Sequence, residues 1–149
     1  MTVAAKTALG AIFCMVAAPT AIVTATHKIA ELLSVQPPQW ERGTIDATTH
    51  DSPSQAREFI IEGVYDAGEI SGQVHYIVGS AGDAAMLAAM TGGTLMNCKC
   101  VLKAATGTYD ISFQGYVTAY APDEMEVDGK QTASFTVKIT GAVTQGVSA

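Results

Sequence analysis

The chain has 149 residues, enough for one domain with its own core and no need of disulfide or metal staples. Fourteen Asp and Glu against eight Lys and Arg give a formal net charge of −6. That balance excludes a protein that grips nucleic acid, because phosphate binding draws its affinity from a basic stripe that releases counterions.

In chain order, Lys6 precedes an apolar run over residues 8–18 that has the outline of a signal peptide. Only one positive charge precedes it, Gly10 and Pro19 interrupt it, and it is too short to span a membrane. Residues 1–28 are therefore read as an atypical apolar segment of a single domain, with no membrane partner. Weak strands are expected over 28–35, 39–46, 57–62 and 95–103, bounded by Pro37-Pro38, Pro53, Gly63 and Gly107. Residues 43–56 read as a long loop, since Asp46, Thr48, Thr49, His50, Asp51, Ser52, Pro53, Ser54 and Gln55 are turn formers or polar residues without period.

Residues 69–78 alternate, with Ile70, Val74, Tyr76 and Val78 inward, Glu69, Ser71, Gln73 and His75 outward, and Gly72 at a bulge or close approach. A helix follows over 84–90, capped by Ser80 and Asp83 and ended by Gly92-Gly93. It has no polar face: it is either buried between two layers of one domain or packs its outer side on a neighbouring subunit. A long strand over 108–121 points Tyr109, Ile111, Phe113, Val117 and Ala119 inward, with a bend at Gly115. After an acidic turn over 122–129, the β-branched segment 132–140 alternates on Ala133, Phe135, Val137 and Ile139.

The sequence lacks the signatures of common chemistry: no G-x-x-x-x-G-K-[ST] phosphate cradle, H-E-x-x-H pair, G-x-S-x-G elbow or regular calcium loop occurs. His27, His50 and His75 fall in separate segments, and adjacent His50 and Asp51 point apart on an extended loop. Cys14, Cys98 and Cys100 are an odd number for a disulfide framework and read as small buried apolar residues rather than zinc ligands. Neither an enzyme nor a cofactor is expected.

Several strings in order resemble the major tail tube proteins of long-tailed bacteriophages, the siphophages. They are Pro37-Pro38; Arg42 to Pro53, similar to a "D-x-T-T-x-D-S-P" loop; Arg57-Glu58-Phe59-Ile60 with the following Gly63 to Glu69; and the closing segments 113–120 and 132–141 around the acidic turn. The resemblance covers residues 29–143. It implies a mainly β fold, a β-sandwich or barrel-like tail tube domain with one flanking α-helix. Six copies would form a ring, and stacked rings would form a hollow tube whose joined sheets line a channel for DNA. Asp46 to Gln55 would then be the loop that reaches the adjacent ring, and Ala85, Met86, Ala89 and Met90 the subunit-interface helix positions. Asp66, Glu69, Asp110, Asp123, Glu124, Glu126 and Asp128 are candidate lumen or rim acids, suited to a conduit that must let phosphate slide. Implied partners are further copies of the chain and the tape measure, terminator and baseplate components, with DNA passing unbound. The setting would be a virion tail assembled in the bacterial cytoplasm.

Two other readings stay open. The tube protein of a contractile tail or type VI-like system would share fold and ring. An exported β-sandwich binding module would need an aromatic platform, for which Trp40, Tyr116 and Tyr120 are the candidates.

Overall fold

The computed structural model describes residues 10–29, 31–104 and 107–147. Among them lie eight strands and two α-helices: β1 Ile12–Ala17, α1 Thr24–His27, β2 Leu32–Gln36, β3 Thr44–Asp46, β4 Phe59–Ile61, β5 Glu69–His75, α2 Ala81–Gly92, β6 Met96–Lys103, β7 Thr108–Pro122 and β8 Thr132–Val147. The fold is mainly β, as the period-2 patterns require. Six strands form one antiparallel sheet in the order β1-β6-β7-β8-β5-β2, while β3 and β4 pair only with each other.

The large sheet curls into a half-barrel. Phe13 of β1 stacks on Phe135 of β8 with ring centroids 5.2 Å apart, although β6 and β7 lie between them in the sheet. Around this stack the concave face collects Met15, Ile70, Val74, Met86, Ala89, Cys98, Cys100, Ile111, Phe113, Val117, Ala133, Val137 and Ile139. Each large side chain here contributes about 1.5–3 kcal/mol by leaving water. Two glycines mark where backbones approach too closely for a side chain. A Cβ on Gly72 would lie 2.5 Å from the Ser34 carbonyl oxygen, and one on Gly115 would lie 2.6 Å from that of Lys138.

The long β7–β8 hairpin is the spine, and its flanking strands are offset. β6 pairs with residues 108–115 of β7, and β5 pairs with residues 132–138 of β8. The two halves of the hairpin are therefore flanked on opposite sides.

Several expectations need correction. Within the apolar N-terminal segment, residues 12–17 form β1, with Phe13 and Cys14 fully buried: its hydrophobicity serves the core. The strand expected over 69–78 stops at His75, and Val78 is exposed in the turn that leads into α2. Ala119 does not face inward. A register shift between Val117 and Ala119 reverses the alternation, so that Tyr120 packs against the core instead. Residues 39–43 are not strand, and the last strand continues six residues beyond Gly141, to Val147. The three cysteines are buried free thiols, and burial pushes Cys98 up to about 12 and Cys100 up to about 11, which keeps them protonated.

Candidate functional site: a hairpin arm and an outward helix face

Residues 41–66 leave the half-barrel between β2 and β5 as a separate arm. Its base is fixed by paired backbone bonds between Glu41 and Asp66, 2.8 Å in both directions, and by the Arg42 guanidinium over the Tyr65 ring at 5.5 Å. Further out, β3 and β4 place Thr44 opposite Ile61, Ile45 opposite Ile60 and Asp46 opposite Phe59. Directly opposed residues share a face, so Phe59 and Ile61 lie on one side of the arm and Ile45 and Ile60 on the other. All four are at least half exposed, Phe59 at 56% and Ile61 at 63%, and Val64 near the base is 79% exposed. An isolated two-stranded hairpin is marginal in water. Apolar residues on both of its faces mark a surface built for contact.

The expected loop is the tip of this arm, and its turn formers bond to one another. The Asp46 carboxylate accepts from the Thr48 amide and the Arg57 guanidinium, both at 2.9 Å. Thr48 Oγ1 accepts from the Glu58 amide at 2.9 Å and donates to the Glu58 carbonyl at 3.3 Å. Ser52 Oγ accepts from the Thr49 amide and donates to the Glu58 carboxylate. Bonding from Thr48, with the Arg57 cation, holds the Asp46 carboxyl below the ordinary carboxylate range. Pro53–Gln55 form a 3₁₀ turn in which Ser54 and Gln55 take positive φ, 58° and 53°, a conformation that side chains other than Gly and Asn adopt at a cost. His50 and Asp51, between Thr49 and Ser52, are exposed. The string D-x-T-T-x-D-S-P is thus largely a prescription for a self-bonded tip.

α2 divides the expected interface residues. Met86 and Ala89 are 1% and 2% exposed and belong to the chain's own core, so their placement at a subunit interface is corrected. Ala85 is half-buried, Met90 is partly exposed, and Leu87, which the sequence reading passed over, is 51% exposed. The outward face is Ala84, Leu87, Ala88 and Met90, still without a charge. Ser80 Oγ accepts from the Asp83 amide at 3.2 Å as N-cap, and Gly93 ends the helix at φ 62°. Asp83 is a brace as well as a cap: it accepts from the Tyr120 hydroxyl at 2.7 Å and from the Gly79 amide at 3.1 Å.

The seven acidic candidates do not form one cluster. Asp66 caps the Gly68 amide at 2.7 Å and lies 3.5 Å from Lys138, which pairs in register with Glu69; the Gly68 bond first, then Lys138, holds the Asp66 carboxyl low. Asp110 pairs with Lys99 at 3.8 Å, both largely shielded, and Asp123 accepts from Thr132 Oγ1 and Gln73 Nε2. Glu124, Glu126 and Asp128 are exposed on the β7–β8 turn. Among the described residues no group of His, Cys, Asp or Glu could hold a metal. A cavity of about 150 Å³ under the start of α2 is lined by His75, Asp83 and Tyr120, with Asp83 and Tyr120 bonded to each other. Trp40 and Tyr116 are exposed, whereas Tyr120 is tied to Asp83.

A family model described as "Lambda phage tail tube protein, TTP" matches residues 16–146. Among curated protein sequences there is no match. Solved structures give the fold. A chain of the virion of a native gene transfer agent particle superimposes with TM-score 0.72 at 15% identity, covering 96% of this chain and all of that one. A chain of the six-fold symmetrised anti-feeding prophage baseplate gives 0.73 at 6% identity, covering 99% and 98%. A chain of the SPP1 tail tube gives 0.62 at 13% identity, covering 93% and 76%.

Proposed function

The chain belongs to the lambda phage tail tube protein family, and from that premise we propose that it self-assembles into six-membered rings which stack into the hollow tube of a non-contractile tail. It is a structural component of the virion, and no helix among the described residues is long and apolar enough to cross a membrane. The observation that carries the assembly reading is the arm, a hairpin with half-exposed apolar residues on both faces whose strands pair, among the described residues, only with each other. In a tube the arm reaches the adjacent ring, and the tip over 46–55 makes the stacking contact. The outward face of α2, with Leu87 and Met90, packs on a neighbouring copy. The family match favours the non-contractile tail over a contractile one, although the fold is shared with a chain of the sheath-tube complex of an extracellular contractile injection system.

Six copies carry a charge of −36, from −6 each, which suits a conduit through which DNA slides without adhering. Glu124, Glu126 and Asp128, exposed on the β7–β8 turn, are the acids placed to act at a rim or lumen. Tape measure, terminator and baseplate proteins are the further partners of such a tube.

Negative-stain electron microscopy of purified protein at rising concentration tests this reading. Rings or hollow tubes are expected, and deletion of residues 48–54 leaves a folded subunit that no longer builds long tubes. A folded monomer at every concentration refutes self-assembly, and normal tubes from the deletion refute the role of the tip.

A further inference from the structure

The arm and the β7–β8 turn leave the half-barrel at opposite ends of one strand pair. β5 and β8 pair from Glu69 opposite Lys138 to His75 opposite Thr132, a ladder of about 20 Å. The arm closes at Asp66, beyond the Glu69 end, and the turn over 123–131 precedes Thr132, beyond the His75 end. The loop that follows β5 leaves beside that turn, since the Tyr76 amide donates to the Gln131 carbonyl at 2.8 Å. This far end has an apolar surface of its own. Val78 and Met125 are more than half exposed and Val127 is wholly so. In the turn the string E-M-E-V-D alternates Met125 and Val127 with Glu124, Glu126 and Asp128, where Gly, Pro, Asn, Asp and Ser would be ordinary.

The charge of the chain is divided along the same line. The arm, residues 41–66, has six acidic residues and two arginines, net −4, and residues 122–131 have four acidic residues and one lysine, net −3. The rest of the chain is left at +1, so the whole excess of negative charge sits at these two ends.

Resting on the tube reading given above, we infer that Val78, Met125 and Val127 are the seat for the arm of a copy in the next ring, and that the acids around both surfaces hold the two apart until salt screens them. The polarity follows from the stack. Rings that share one direction meet top to bottom, a heterologous contact that repeats without closing. Strands of a closed sheet are tilted to its axis by less than a right angle, so the two ends of the β5–β8 ladder stand at different heights. What projects from one end therefore meets what the other end presents. Ile61, the most exposed apolar residue of the arm's strands, comes onto Val127, the most exposed of the seat. Apolar burial supplies the attraction. Against it, six arms at −4 face six turns at −3, a repulsion that reaches about 30 Å near 0.01 M salt but only about 3 Å near 1 M. Within a ring every arm stands at one height and every turn at another, so ring closure does not bring them face to face. Closing rings and stacking them thus become steps with different salt dependence.

The test uses full-length protein carrying both Ile61→Cys and Val127→Cys, joined by a short bismaleimide, with each single variant as control and the native thiols buried. Where electron microscopy shows tubes, a ladder of cross-linked chains running well past the dimer is expected from the double variant alone. Tubes without that ladder overturn the seat while the tube reading stands. Cross-linking by Ile61→Cys alone sets arm against arm and overturns the head-to-tail contact. Absence of rings and tubes from the unaltered protein at every salt concentration overturns the tube reading and the seat with it. Met125→Ser with Val127→Ser, both outside the core, gives a folded subunit that builds no tubes, and normal tubes from it overturn the seat even where the cysteine variant fails to assemble. A salt series reads the electrostatic half. Between about 0.02 M and about 0.5 M NaCl the protein concentration at which tubes appear falls about tenfold or more. Glu124→Gln with Glu126→Gln and Asp128→Asn brings that lower onset to low salt. An onset that does not fall with salt, or that the three substitutions leave unchanged, contradicts the repulsion between the two ends.

Discussion

Replacing Phe59 and Ile61 by Ser removes the apolar content of one face of the arm without touching the core. Full burial of such a side chain contributes about 1.5–3 kcal/mol. Phe59 and Ile61 have 56% and 63% of their surface still exposed. Covering that remainder in a neighbour is therefore worth roughly 1–2 kcal/mol each, or about 2–4 kcal/mol per arm. At 1.4 kcal/mol per factor of ten, one arm contact weakens roughly thirty- to several-hundred-fold. Six arms act together between two proposed rings, so stacking is lost at concentrations where the unaltered protein forms tubes. Sedimentation with electron microscopy across a concentration series measures the onset of tubes. Thermal unfolding of the isolated subunit checks the other half of the reasoning: because neither side chain is in the core, the melting temperature stays within about 2 °C of the unaltered subunit's. Tubes of normal length at an unchanged onset concentration refute the assignment of this face to an intersubunit contact.

On α2, Met86→Lys puts a charge into the core and prevents folding, while Leu87→Lys leaves the subunit folded and weakens ring formation; circular dichroism and sizing separate the two outcomes. Tyr120→Phe removes the hydroxyl that donates to Asp83 and costs about 1–2 kcal/mol, a fall of several degrees in melting temperature for a domain of this size. Burial first, and then the bond to Asp83, raise the Tyr120 phenol above its ordinary value of 10. A raised value means that its contribution is complete below pH 10 and lost as pH rises further, so the unaltered protein has an alkaline loss of stability that Tyr120→Phe lacks. Asp46 behaves in the opposite sense: its carboxyl is held below the ordinary 3.8, so its support of the tip is present above that value and lost as pH falls further. Protection of the amides of residues 47–58, taken relative to the intrinsic exchange rate at each pH, is expected to fall below about pH 4 in the unaltered protein, and Asp46→Asn removes that acid dependence.

The strongly alternating strands were readable because their period and their environment agree: Ala133, Phe135, Val137 and Ile139 all point into the core. Alternation failed at Ala119 because a register shift adds a residue that no composition signal announces. β1 was obscured by its own success. A strand buried on both faces reads as a continuous apolar run, and such a run shares its outline with a targeting segment. Phe13 faces the barrel interior, while Cys14 is fully covered on the other side. On α2 the absence of a polar face was plain, but which side met the core could not be read from a helix apolar all round. The arm's strands were legible only weakly, within the expected segments 39–46 and 57–62, because β3 and β4 have three residues each and no core to give them a pattern.

β8 lies in the middle of the sheet yet comes last in chain order among the described strands. Until its residues 132–139 emerge, β5 has no neighbour on that side, Phe13 lacks Phe135, and β7 has only β6. A nascent or truncated chain thus has no stable half-barrel to offer, and its long-range pairing makes folding slow and late. Emergence of β8 becomes the checkpoint for admission to the polymer: a chain that stops before Thr132 lacks Phe135, Val137 and Ile139 and the strand that ties β7 to β5.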